Sequence, residues 1–163
     1  VQMQVKGIAR LPTERQAAFV SHIVDLARSV PPSSCKTMFL GQMSTAEAAA
    51  LERRYIARLP LGRFEAISNL YREAAEAELA GYPDAKVINA QQAMIAEKVY
   101  AAASERRVAK QVSKEAVRSV TRDAASAAPA DVCAYISSTV EGMLDMTEPY
   151  KAWQLTRFAQ SMQ

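Results

Sequence analysis

From Asp84 to Ala125 the chain contains neither proline nor glycine, the two residues that most readily interrupt regular structure. Within that stretch Val87, Met94, Ile95, Val99 and Tyr100 fall on one helical stripe, and Val108, Val112, Ala116 and Val120 on a second at spacing four. A single helix of this length would be roughly 60 Å long at 1.5 Å per residue. That exceeds the width of a compact domain of this size, so two helices hinged near Ala103-Ser104 are expected.

The rest of the chain reads the same way. Thr13-Glu-Arg-Gln16 has the capping-box pattern, with Leu11 placed as its staple, and opens a helix predicted to run to Val30. Pro31-Pro32 ends that helix, and a short helix over Ser34–Leu40 closes at Gly41. A second box, Ser44-Thr-Ala-Glu47, starts a helix buried along Leu51, Tyr55 and Leu59 and stopped by Pro60. Leu61 to Ala80 follows with Phe64, Ile67, Leu70, Tyr71 and Ala74 inward, ended by Gly81-Tyr-Pro83. Pro129 and Thr147-Glu-Pro149 lead the last two helices, the final one carrying Tyr150, Trp153, Phe158 and Met162. Val, Ile and Thr form no alternating runs, so strands have no support. The expectation is all-α: an irregular bundle of six to seven helices in one domain spanning 1–163, with 1–12 an extended or mobile lead-in.

At 163 residues, half of them hydrophobic and 23% charged, the chain can bury a sizeable core. No apolar run reaches the roughly 18 residues of a membrane span. Val1 to Gly7 lacks the apolar core of a signal peptide and an initiating Met, as expected of a processed or trimmed chain. A formal charge of +3 does not by itself imply nucleic acid.

The two cysteines share a setting. Cys35 follows Pro31-Pro32 and Cys133 follows Pro129, placing both in first turns of helices. A disulfide between them is expected and would put the protein outside the cytosol, periplasmic or secreted. If the thiols are free, a cytoplasmic location follows.

His22 is the sole histidine, which excludes sites built on two histidines. It reads as a structural side chain. A nucleophilic Cys35 served by His22 as base is the enzymatic alternative, because a helix N-terminus lowers a thiol's pKa. Carboxylates on Leu61–Ala80 (Glu65, Glu73, Glu76, Glu78) and near the end (Glu141, Asp145, Glu148) have generic spacings, and Arg72 is placed to pair with Glu76. No metal site and no cofactor is expected.

The least generic feature is a run of cations: Arg106, Lys110, Lys114, Arg118 and Arg122 at spacing four, with Arg107 beside it. The segment Asp131 to Glu148 holds four acids and no base, so internal pairing is one account. The other is a docking surface for an acidic protein partner, where charge raises the rate and selectivity of encounter. No aromatic interleaves with the run, so nucleic acid is not expected. Alanine-rich helices with two proline-led cysteines resemble, in general type, small helical proteins of the bacterial periplasm, among them inhibitors, immunity proteins and chaperones. The reading is therefore an exported protein-binding module. A small-ligand carrier with a pocket between helices is the alternative.

Overall fold

Residues 6–162 are described by the structure, a computed structural model. Its α-helices are α1 (Thr13–Ser29), α2 (Pro32–Phe39), α3 (Thr45–Ile56), α4 (Leu61–Ala80), α5 (Ala90–Gln111), α6 (Lys114–Arg122), α7 (Pro129–Glu141) and α8 (Tyr150–Ser161). A 3₁₀ turn, Gly142–Asp145, follows α7. The described residues contain no strand, so the all-α expectation holds, with more helices than the six to seven expected. The 3₁₀ turn is one element the sequence did not suggest; the break between α5 and α6 was expected, though elsewhere.

The start of the chain departs from the reading of an extended lead-in. Residues 1–5 lie outside the described set, but 6–8 are helical, and Ile8, Ala9 and Leu11 are buried against Phe19, Leu70 and Ala74. Gly7 permits this: a Cβ there would sit 1.7 Å from the carbonyl oxygen of Ala74. The Thr13–Gln16 capping box does not form. Pro12 is the cap of α1, and Gln16 is buried instead. Its amide donates to the carbonyls of Ala9 and Leu11 at 3.3 and 3.0 Å and its oxygen accepts from Thr156 at 3.2 Å, pinning the first turn to α8. The second box, Ser44 with Glu47, is present in both directions.

The core has α7 at its centre. It packs on α1, α2, α5 and α6, while α8 packs on α1 and α5. Val20, Val24, Val140, Met143 and Leu155 fill the space between α1, α7 and α8. Gly142 lets α5 approach the end of α7, since a Cβ there would meet Ser104 Oγ at 2.6 Å. Cys35 and Cys133 are disulfide-bonded, joining α2 to α7 across 98 residues of sequence. No helix among the described residues is long and apolar enough to cross a membrane.

The hinge expected at Ala103-Ser104 lies instead at Val112-Ser113. Val112 is extended (φ −120°, ψ 135°), and Ser113 caps α6 by accepting from the Ala116 amide at 3.1 Å. Residues 84–89, expected to be helical, are not; α5 starts at Ala90 under a capping box of Asn89 and Gln92.

Candidate binding cleft

The break after Gln111 builds a cleft. α5 and α6 both pack on α7 but share little contact with each other, so they diverge from Val112 as two walls with α7 behind them. The space between is about 560 Å³. Tyr100, Ala101, Val108 and Ala109 line it from α5, Val112 from the hinge, Val117 from α6 and Tyr135 from α7. Alanine at 101 and 109 leaves room that larger side chains would fill. Burial pushes the Tyr100 phenol up in pKa, so it stays neutral beside these groups. Deeper in, Ser104 donates to the carbonyl of Thr139 at 3.0 Å and is satisfied.

The lips of the cleft are charged. Lys114 and Arg118 stand on the α6 side, both exposed, and neither forms an ion pair among the described residues. Glu97 and Glu105 stand on the α5 side, with Glu97 held by Arg157 at 2.9 Å.

The run of cations is thus not one continuous stripe. Arg106, Arg107 and Lys110 belong to α5, and Lys114, Arg118 and Arg122 to α6, with extended backbone between the two sets. Arg107 is directed inward, bridging Glu141 at 2.6 Å and Asp145 at 3.0 Å. Glu141 also takes Arg28 at 2.5 Å. Internal pairing therefore accounts for Arg107. Arg106 and Lys110 are exposed, and Arg122 lines a shallow depression with Arg118, Glu115 and Asp123.

The cysteine–histidine reading is overturned. Cys35 is fully buried in its disulfide and has no thiol to ionise, and the partner of His22 is Glu52. His22 is 2% exposed, with Nε2 3.1 Å from Glu52 Oε1, and its ring packs against Tyr55 and Tyr71 at 5.7 and 5.8 Å. Tyr71 donates to the same carboxylate oxygen at 2.5 Å. Burial raises the Glu52 pKa, but the hydrogen bonds from His22 and Tyr71 outweigh it and leave the carboxyl below its ordinary value. This triad, with His22 buried and Glu52 and Tyr71 half-buried, ties α1, α3 and α4 together.

The carboxylates of α4 are occupied as well. Glu73 is held by Arg15 at 2.5 Å, Glu78 by Arg10 at 2.9 Å and Glu76 by Arg72 at 2.9 Å. Glu65 is exposed, and Glu148 accepts from the Ala152 amide at 3.3 Å. Among the described residues no three His, Cys, Asp or Glu gather at metal-binding distance.

Sequence reasoning placed Lys114 and Arg118 among its candidates and took Val108 for core, which it is, but also took the half-buried Val112 for core and did not single out Tyr135. The one local signal was the serine at 113, which caps the start of α6 inside an otherwise unbroken apolar stripe. Comparison with protein-family models, with curated proteins and with solved structures finds no match for this chain.

Proposed function

We propose that the chain is a binding module whose recognition site is the cleft between α5, α6 and α7. Its occupant is a small amphipathic molecule with an anionic group. One observation carries this: an apolar cleft of about 560 Å³ with two unpaired cations on one lip. Small-molecule sites commonly occupy about 300–1,000 Å³, with mainly apolar walls and a few oriented polar groups. The apolar body would lie against Val108, Val112 and Val117, and the acid would face Lys114 and Arg118. The buried disulfide supports an exported protein working in an oxidising compartment, the periplasm or beyond the cell.

A second reading makes the exposed cations at the α5–α6 junction a docking face for an acidic protein partner. Lys110, Lys114, Arg118 and Arg122 are all exposed, which favours it. The inhibitor, immunity and chaperone-like roles belong to this reading.

Titration with dodecanoate, followed by displacement of a fluorescent apolar probe, tests the carrier. Ala109 is exposed and lines the cleft, so Ala109→Trp fills the site without crowding the core. That variant should lose binding. Lys114→Glu with Arg118→Glu should weaken it about ten-fold, equivalent to roughly 1.4 kcal/mol. Dodecanoate binding that both variants leave intact rules out this site. Loss with dodecanol as well as dodecanoate in the charge-reversed variant removes the anionic group from the proposal.

A further inference from the structure

A second cavity, of about 380 Å³, lies where the end of α1, the start of α2 and the C-terminal turn of α3 meet. Its chemistry differs from that of the cleft. Arg54, in the last turn of α3, and Arg58, two residues beyond its end, both line it, and no carboxylate does. Neither guanidinium forms an ion pair among the described residues. Arg54 uses Nε to donate to the carbonyl of Ala50 at 3.3 Å, and its two terminal nitrogens form no hydrogen bond among the described residues. Asp25, on the neighbouring helix, is already engaged by Arg63.

Two guanidiniums lining one concavity without a counter-charge concentrate anions there. The remaining walls are of two kinds. Ser34 contributes a hydroxyl and stands in the first turn of α2, a helix that starts without a side-chain cap, while the Ser29 hydroxyl already donates to the Asp25 carbonyl at 2.7 Å. Leu51 and Tyr55, 7% and 9% exposed, form an apolar floor. A phosphate monoester carries between one and two negative charges near neutrality and presents oxygens that match the arginine fork. Its organic part requires apolar surface, which Tyr55 and Leu51 supply.

We infer that this cavity binds a small organic phosphate monoester, the phosphoryl group held by Arg54 and Arg58 and the organic group lying on Tyr55 and Leu51. The inference is independent of the cleft, which shares none of these residues.

Isothermal titration with phenyl phosphate, inorganic phosphate and phenol at constant ionic strength tests it. Phenyl phosphate should bind, inorganic phosphate more weakly, and phenol not measurably. Arg54→Gln with Arg58→Gln should weaken phenyl phosphate at least about ten-fold, while Lys114→Glu with Arg118→Glu should leave it unchanged. Equal binding by wild type and the glutamine variant overturns the site. Equal affinity for phenyl phosphate and inorganic phosphate overturns the organic half of the assignment. Should the glutamine variant fail to fold, amide shifts in the wild-type protein decide: phenyl phosphate must move Ser34 and Tyr55, and shifts confined to other residues overturn the site.

Discussion

At the residue scale, the informative side chains are half-buried carboxylates that gather donors from other helices. Glu52 accepts from His22 and from Tyr71, and Glu141 accepts from Arg28 and Arg107. For each carboxyl, burial raises the pKa but the donors together lower it by more, so the folded value lies below the ordinary 4.5. The unfolded chain therefore holds more protons around and below pH 4.5. These two groups stabilise the fold fully above that value and lose their contribution as pH falls through their folded pKa. Urea unfolding at pH 7 and pH 3 measures this. Wild type should lose more stability between the two than Glu52→Gln, because the amide has no proton to gain. Equal losses would show that Glu52 is not linked to folding. At pH 7, Glu52→Ala should cost about 1–3 kcal/mol, the usual penalty for leaving a buried donor without an acceptor. The sequence identified His22 as structural but could not name Glu52, 30 residues away, because no local pattern reports a contact between helices. Gln16 shows the reverse problem. Its position suits a capping box, yet tertiary partners at Ala9, Leu11 and Thr156 claim its amide.

At the element scale, the stop signals were the most legible part of the chain. α4 runs over Leu61–Ala80 as expected, between a proline and a glycine with φ +63°. The α5–α6 break was harder to place, for a physical reason. Val108, Val112, Ala116 and Val120 keep a spacing of four across it, so periodicity alone continues a helix through Val112. The only interrupting cue is Ser113, whose side chain competes for the backbone N–H groups ahead of it. Its hydrogen bond to the Ala116 amide closes the first turn of α6. Ser113→Ala should therefore lower stability by about 1 kcal/mol. It should also weaken dodecanoate binding, because α5 and α6 would no longer be held at a fixed angle and the cleft depends on that angle. Ser113→Asp, which caps equally well, should restore both. An alanine variant with unaltered stability and binding would mean that packing on α7, not the cap, sets the break.

At the scale of the whole molecule, the disulfide and the hub helix act together. α7 touches four other helices, and Cys133 near its start is bonded to Cys35 in α2. α2 has only eight residues and few other buried anchors, Cys35 being its one fully buried side chain. Isolated helices that short are marginal in water, so its order depends on this link and on Lys36, which donates to the carbonyls of Ala125 and Ala127 at 2.6 and 2.7 Å. In the chain-entropy treatment, a cross-link closing a loop of about 100 residues contributes up to roughly 4–5 kcal/mol. For a domain of this size, each 1 kcal/mol moves the melting temperature by about 2–4 °C. Cys35→Ala with Cys133→Ala should then melt roughly 10 °C or more below wild type in scanning calorimetry. The change should be local in structure: α2 loosens, which opens the Arg54–Arg58 cavity that it borders, while the cleft between α5, α6 and α7 keeps its walls. Phenyl phosphate binding should fall in this variant and dodecanoate binding should persist below the melting transition. A melting temperature within about 3 °C of wild type would make the bond incidental to folding. Loss of dodecanoate binding in a still-folded variant would show that the two sites communicate through α7, the one element that packs against both α2 and the walls of the cleft.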